Sequence, residues 1–273
     1  MKRLAIIFGG FITVLTLAAA TFLILANSAK STRRDDLRFE GVTAIRLDSG
    51  PGDITLRGTT ASSVSGSRRV QRSFTSPSYR ETLEADGTLV IRTRCNGFLV
   101  VNCGVTYDLF VPEGVSVRGV ASGGDIALSN IMKDIDVRSS AGDVTARDIG
   151  GNLILQSSAG DVRVTGSNGT LQLVSSAGDV VVTGANASSV EATSSAGDVR
   201  LSFRNAPRSI TASSSAGDVA VGVARSTTGY RVDASTSAGD TTVQIKSDPE
   251  SPMRMKLRSS AGDVSVKYSN NLR

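Results

Sequence analysis

The aspartates that follow a glycine are the side chains best suited to chemistry in this sequence of 273 residues. Most of them lie in repeats of S-S-A-G-D-V, with one near copy that reads T-S-A-G-D-T. The series consists of Asp125, Asp143, Asp161, Asp179, Asp198, Asp218, Asp240 and Asp263. Successive aspartates are first 18 residues apart and then 19, 20, 22 and 23 apart. A short period of this kind is typical of stacked structural repeats.

Stacked aspartates have two interpretations. Neighbouring strands are about 4.8 Å apart, so a column of carboxylates needs something to offset its repulsion. Calcium does this in rolls built from a G-G-x-G-x-D pattern with several oxygen ligands per ion, whereas each unit here supplies one Asp. An Asp in an Asx-type turn instead accepts hydrogen bonds from backbone N–H groups. We expect such capping, with no metal and no cofactor, and calcium binding is the alternative.

Catalysis is restricted because the chain has no histidine. A Ser-His-Asp triad, a His-ligated zinc site and an imidazole general base are therefore excluded. β-Helices that cleave polysaccharides hold carboxylates and basic residues in a groove made by long loops. The loops at 204–208, 225–230 and 246–252 lengthen only gradually and would not enclose a sugar. We predict no catalytic residues and no enzymatic activity, and a ridge formed by these three loops on one side.

Cys95 and Cys103 are the two cysteines of the chain, and seven residues separate them. A metal site needs more ligands than these two, and a redox pair normally has the spacing C-x-x-C. On the oxidising side of a membrane such a pair forms a disulfide. We therefore predict a Cys95–Cys103 bridge that closes a short loop.

The elements that position these residues are strands. Apolar residues lie eight and six positions before each aspartate, and again one and three positions after it, as at Leu153, Leu155, Val162 and Val164. This period of two predicts two short strands joined by a tight turn in every unit. Neither strand could bury its apolar face alone, so successive units must stack in parallel. The sequence predicts an all-β protein, a parallel β-solenoid of about 18–23 residues per coil.

The serine four positions before the aspartate of each S-S-A-G-D-V unit is in phase with the inward-facing residues of this pattern. Its hydroxyl would be buried and must find a backbone carbonyl or a neighbouring serine. In the same turn, glycine supplies backbone freedom and alanine fits where a larger side chain would not.

The solenoid begins before the clean repeats. Residues 45–56 follow the same template, with Asp53 at the turn, and residues 120–128 form another divergent copy. The 72 residues from Asp53 to Asp125 equal four periods of 18, so we expect degenerate coils between them, including residues 88–93 and 105–111. We predict one repeat domain, residues 39–273, with divergent coils over 39–115 and regular coils over 116–268.

The N-terminus predicts a membrane anchor. Residues 4–26 are 23 positions without a charged side chain, and a helix needs about 20 to cross a bilayer. A cleaved signal is the alternative, but its apolar region is about 7–15 residues and the best cleavage site, at 27–29, is poor. We expect residues 1–3 in the cytoplasm, 4–26 as a single-pass anchor and 27–38 as a polar linker. The composition of the repeat domain favours a location outside the cell membrane.

The formal net charge of +5 is small for this length. Aromatic residues are not interleaved with basic residues, so we expect no nucleic-acid binding. The short clusters Arg33-Arg34 and Arg68-Arg69 are interpreted as solvated loops, and the first could also contact lipid headgroups.

Residues 107–114, which read Y-D-L-F-V-P-E-G, precede the S-S-A-G-D-V units. Together they make the chain similar to the bacterial putative-adhesin families of β-strand-repeat domains of unknown function. The resemblance covers roughly residues 39–268. It implies a solenoidal β domain in bacterial envelope proteins, often tethered to a membrane, and no established activity.

These observations predict a non-enzymatic, membrane-anchored envelope or surface protein whose solenoid is a spacer or an adhesin-like binding surface. The alternative is an ectodomain that binds calcium or processes carbohydrate. Expected partners are the membrane and a cell-wall or surface polymer or protein. The final coil, which contains Asp263, has few residues after it, so its open edge is expected to allow weak self-association.

Overall fold

The computed structural model describes residues 31–73, 75–96 and 103–269, and these residues form strands and turns without any helix. None of the described residues belongs to a helix that could span a membrane. Residues 4–26, where we predict the anchor, lie outside the described residues.

The strands belong to two long sheets, and from β6 (Thr88–Arg94) onward they alternate between the two sheets along the chain. They are β1 (Ser31–Glu40), β2 (Ala44–Pro51), β3 (Ile54–Thr59), β4 (Ser63–Arg72), β5 (Ser78–Leu83), β6 (Thr88–Arg94), β7 (Gly104–Pro112), β8 (Ser116–Gly123), β9 (Ile126–Ser129), β10 (Ile135–Ser139), β11 (Val144–Arg147), β12 (Leu153–Ala159), β13 (Val162–Thr165), β14 (Thr170–Ala177), β15 (Val180–Ala185), β16 (Ser189–Ala196), β17 (Val199–Phe203), β18 (Ser209–Ala216), β19 (Val219–Val223), β20 (Arg231–Ala238), β21 (Thr241–Gln244), β22 (Arg254–Ala261) and β23 (Val264–Tyr268).

One sheet has 12 strands in the order β1-β4-β7-β3-β9-β11-β13-β15-β17-β19-β23-β21, and the other has 11 in the order β20-β22-β18-β16-β14-β12-β10-β8-β2-β6-β5. One strand from each sheet makes a coil, such as β12 with β13. Pairing from coil to coil is parallel, as in β10 with β12 and β11 with β13. The prediction of an all-β fold with stacked parallel strands is confirmed.

The core is a thin layer between the two sheets. Most regular coils contribute the four apolar residues that the period of two indicated, and in the coil of β12 and β13 all four are at most 1% exposed. They are Leu153, Leu155, Val162 and Val164. Since each strand turns alternate side chains inward, four aliphatic residues per coil fill this layer.

The order of coils at the N-terminal end differs from the order in the sequence. The coil of β2 and β3 lies between the coil of β6 and β7 and the coil of β8 and β9. Residues 88–93 and 105–111, which we expected to contribute to coils in the gap between Asp53 and Asp125, lie in β6 and β7 and form one coil on the far side of β2 and β3. This is the one parallel coil that the described part of the segment forms, so the prediction that several coils fill the gap is wrong.

The rest of the N-terminal segment forms an antiparallel cap, defined here as β1, β4 and β5. β4 pairs antiparallel with β7, β1 pairs antiparallel with β4, and β5 pairs antiparallel with β6. Residues 31–38, which we expected in a linker, are thus part of β1, and residues 27–30 lie outside the described part of the chain. The strands of the cap form hydrogen bonds with the backbone edge that the first parallel coil would otherwise expose.

The C-terminal end shows a second exchange of order. The coil of β22 and β23, which contains Asp263, lies between the coil of β18 and β19 and the coil of β20 and β21. The expectation that the Asp263 coil ends the solenoid is wrong, since the coil with Asp240 occupies that place. The physical reason is apolar content, because Met255 and Leu257 are buried in the inner coil, whereas Thr241 of the end coil is exposed.

Candidate functional site

The Gly-Asp turns form one edge of the solenoid, and their aspartates bond to one another's backbone. Asp143 Oδ1 accepts a hydrogen bond of 2.8 Å from the backbone N–H of Asp161, and Asp161 Oδ1 accepts one of 2.7 Å from the N–H of Asp179. The same bond joins each aspartate to the next in the spatial order Asp53, Asp125, Asp143, Asp161, Asp179, Asp198, Asp218, Asp263 and Asp240. The carboxylates therefore serve as backbone caps.

Arginines relieve part of the repulsion in this column. Arg163 forms ion pairs with both Asp143 and Asp161, and Arg200 does the same with Asp179 and Asp198. The hydrogen bond from the Asp198 N–H, followed by that from Arg200, lowers the pKa of Asp179 below its ordinary value. Within the described ranges, no group of three or more potential His, Cys, Asp or Glu ligands is placed to hold a metal ion.

The serines of the repeat form a second column inside the same edge. Ser175 is fully buried, and its hydroxyl donates a hydrogen bond of 2.9 Å to the Gly160 carbonyl of the preceding coil. Equivalent bonds are made by Ser157, Ser194, Ser214, Ser259 and Thr236. Gly160 has a φ of +140°, and a Cβ there would lie 2.3 Å from the Gly142 carbonyl oxygen. Serine and glycine are thus both required by the stacking distance.

Cys95 and Cys103 are joined by a disulfide with a Cα–Cα distance of 6.1 Å. Cys95 follows β6 and Cys103 precedes β7, so the two cysteines occupy the place that the Gly-Asp turn has in the regular coils. The bridge therefore closes the turn of the parallel coil that lies against the cap. Residues 97–102 of this loop lie outside the described residues.

The cap contains a cluster of charged side chains around Arg68. Its guanidinium forms ion pairs of 2.6 Å with Asp35 and 2.8 Å with Glu81, and it lies 3.9 Å from the centre of the Tyr79 ring. The Arg68 side chain is only 11% exposed, so our interpretation of this residue as part of a solvated loop is wrong. Burial, together with a hydrogen bond to Glu81, raises the pKa of Tyr107. The cluster ties β1, β4 and β5 to β7.

The three loops opposite the Gly-Asp edge pack on one another. Tyr230 is 1% exposed, and its hydroxyl donates a hydrogen bond of 2.9 Å to the Pro207 carbonyl. Its backbone pairs with Ser247 in a short parallel bridge, and the Ser251 hydroxyl donates to the Gly229 carbonyl. The predicted ridge is thus a set of packed turns around one buried ring.

A polar groove crosses the outer face of the 11-stranded sheet from β8 to β16. Its volume is about 460 Å³. It is lined by two outward-facing rows that comprise Asp134, Asn152, Thr170 and Ser189 in the first and Arg118, Asp136, Ile154, Gln172 and Glu191 in the second. We call this feature the polar groove. It is a concave surface to which five successive coils contribute different side chains.

Our sequence reasoning missed the groove, although a signal for it was present. The second row lies seven positions before each aspartate, between the two inward-facing apolar positions. The positions of the S-S-A-G-D-V turn keep their residue type, but at this one Arg118, Asp136, Ile154, Gln172 and Glu191 follow one another. Reading the outward positions in register would have shown a row of varied polar groups.

Comparison with known proteins agrees with the fold. No curated protein matches the sequence. A crystal structure described as a putative adhesin from Bacteroides fragilis has a TM-score of 0.50 and 16% identity, over 87% of this chain and 97% of that one. A second, from Parabacteroides distasonis and described in the same words, has a TM-score of 0.50 and 11% identity, over 86% and 96%. At these identities the likeness concerns the fold alone.

The sequence also matches a protein-family model over most of its length. The family model described as Toastrack DUF4097 matches residues 42–271, which include β2 to β23 and all the Gly-Asp turns. The chain therefore belongs to the Toastrack DUF4097 family.

Proposed function

We propose that this protein is a non-enzymatic, membrane-anchored protein of the bacterial cell envelope, whose solenoid lies outside the cell membrane and presents a binding surface. In this proposal residues 4–26 anchor the chain, and the cap lies nearest the membrane because β1 follows the anchor most closely in the sequence.

The observation that carries the proposal is the use of the repeated polar residues. The serine hydroxyls and aspartate carboxylates of the repeats bond to the backbone of the adjacent coil, so these groups stabilise the stack and are not arranged around a substrate. The described residues form ten coils, which at about 4.8 Å each make a rod roughly 45 Å long. Such a rod suits the display of side faces rather than the enclosure of a reacting group.

Three further observations support this proposal. The similar crystal structures from Bacteroides fragilis and Parabacteroides distasonis are described as putative adhesins. A disulfide is typical of a compartment outside the cytoplasm. The apolar stretch at 4–26 has the length of a membrane span.

Protease added to intact cells and to spheroplasts tests the location. We expect digestion of the repeat region in the full-length protein, with a cytoplasmic enzyme as the protected control. Complete protection of the repeats in spheroplasts would contradict the proposal.

Binding of the full-length protein to isolated cell-wall material tests the function. We expect retention that a calcium chelator does not change and no release of new reducing ends from the wall polymer. Retention that is lost with chelator would favour the calcium-binding alternative, and release of reducing ends would favour a carbohydrate-processing enzyme.

A further inference from the structure

We propose that the polar groove binds an extended, uncharged glycan, with roughly one sugar ring for each coil spacing. This inference rests on the proposed function, because it names the ligand class of an envelope binding surface. It concerns a specific face of the rod, from β8 to β16, and specific side chains on it.

The groove offers hydrogen-bonding groups that the fold does not use. Among the described residues, the side chains of Arg118, Gln172 and Glu191 have no hydrogen-bond or ion-pair partner. Asn152 Oδ1 accepts hydrogen bonds from the Thr170 N–H and hydroxyl, which leaves the Asn152 amide N–H groups available. Planar amides, carboxylates and a guanidinium are suited to pairs of neighbouring hydroxyls, since each presents two donors or acceptors side by side.

The spacing of these groups fits a chain-like ligand. Five strands contribute to the groove, so it spans four intervals of about 4.8 Å, or roughly 19 Å along the rod. The spacing between two neighbouring strands is close to the length that one pyranose ring adds to an extended polymer. A polymer aligned with the rod would therefore meet a new set of polar side chains at each ring.

The charge of the groove disfavours polyanions. It contains Arg118 against three carboxylates, those of Asp134, Asp136 and Glu191, and Arg138 pairs with Asp136 at 3.1 Å. The balance is near neutral or slightly negative, so nucleic acids and phosphate-rich polymers gain no attraction there. Ile154 lies partly exposed in the middle of the groove, where it can contact the C–H face of a sugar ring.

A peptide ligand is disfavoured by the position of the groove. Peptides that extend a β-sheet need an open strand edge, whereas the central strands beneath the groove, such as β12, have a parallel partner on both sides. Recognition here must come from side chains, which is how hydroxyl-rich ligands are bound.

Calorimetry with the full-length protein in detergent tests the proposal. The probes are uncharged β-1,4-linked N-acetylglucosamine oligomers of two to six rings and a polyuronate of similar length. We expect affinity to rise with ring number up to about four rings, in line with the four strand intervals, and the polyuronate to bind more weakly. Affinity that is independent of ring number, absence of binding, or a preference for the polyuronate would overturn the inference.

Two variants locate the site. Gln172→Ala and Glu191→Ala should each weaken binding about three- to tenfold, since each removes one or two hydrogen bonds. Both side chains are exposed, so the thermal midpoint should stay unchanged. Gln244→Ala, which removes an exposed glutamine from the other sheet, is the matched control and should bind normally. Equal affinity of all four proteins would refute the groove as the site.

The two proposals can fail separately. If the repeats are digested in spheroplasts and no oligomer binds the groove, the envelope location stands and the glycan inference is wrong. If the repeats are protected but the purified protein binds oligomers through Gln172, the location is wrong and the groove stands.

Discussion

Asp53 Oδ1 accepts a hydrogen bond of 3.1 Å from the backbone N–H of Asp125, although 72 residues separate them in the sequence. The intervening chain leaves the stack, builds β4 and β5 of the cap and one further coil, and returns to the other side of the Asp53 coil. The aspartate column is therefore continuous from Asp53 to Asp240, and one such bond joins each pair of neighbouring coils within it. This continuity makes the column a target for stability measurements.

Replacing Asp161 by Ala should destabilise the protein by about 1–2 kcal/mol, because the Asp179 N–H loses its charged acceptor. Asp161→Asn keeps the accepting oxygen and removes one charge from a column of like charges, so its effect should be smaller. Urea unfolding of both variants measures the difference. Equal destabilisation by Ala and Asn would contradict the capping role and assign the effect to charge.

Ser175 and Ser176 are adjacent, but only the first is buried. Ser175→Ala should cost about 1 kcal/mol, since it leaves the Gly160 carbonyl without its 2.9 Å hydrogen bond. Ser176→Ala is the matched control and should change the free energy of unfolding by less than about 0.5 kcal/mol. The same urea titration compares them, and equal effects would count against the inner serine column.

The Cys95–Cys103 bridge closes a loop with a sequence separation of 8, so its removal should cost about 2–3 kcal/mol. Mass spectrometry of unreduced peptides from protein recovered from cells detects the bridge directly. Cys95→Ser should match the chemically reduced protein in thermal midpoint. Recovery of two free thiols from the envelope fraction would contradict both the bridge and the proposed location.

Stability should depend on pH in the acidic range. A hydrogen bond from Arg68, followed by one from Arg33, lowers the pKa of Asp35 from its ordinary value of 3.8, and the Asp198 N–H lowers that of Asp179. A carboxyl whose pKa is lower in the folded state stabilises the fold above about pH 4 and loses this contribution as the pH falls through the folded pKa. The urea midpoint of unfolding should therefore be similar at pH 7 and pH 5 and lower at pH 3. A midpoint that is unchanged at pH 3 would be inconsistent with these shifts.

Self-association should involve the end coil of β20 and β21. This end has no strand beside it among the described residues, whereas the other end carries the antiparallel cap. Two copies can therefore pair through this end, and because each copy has one such end, the association is limited to a dimer. Val243 of this coil is 39% exposed. Val243→Lys should weaken the dimer in sedimentation equilibrium.

Ser265→Lys is the control for this prediction, because it places the same charge on β23, inside the stack. Dimers that respond to Ser265→Lys and not to Val243→Lys would place the contact on a side face. A monomer at every concentration would show that the end coil is already sufficiently protected.

Much of the fold follows from local pattern. The inward positions of β12 and β13 could be read directly, because side chains of a strand alternate between two faces whatever the strand pairs with. The roles of Ser175 and Asp161 followed in the same way, since a buried hydroxyl and a carboxylate at a turn both need nearby backbone partners. Our sequence reading did not extend to the groove, because it followed the inward-facing and turn positions and did not align outward-facing ones such as Gln172 and Glu191, which pair between coils.

The sequence by itself determined that the chain forms stacked two-strand coils with serine and aspartate columns. Only the tertiary structure decided which coil lies next to which, and which chain segments close the ends. The reason is that the interfaces between the regular coils share one backbone spacing and similar Ser, Gly and Asp hydrogen bonds, so local pattern gives no preference for one neighbour over another. The order is set by burial of the whole stack, which places Met255 and Leu257 inside and leaves the coil with Thr241 at the end.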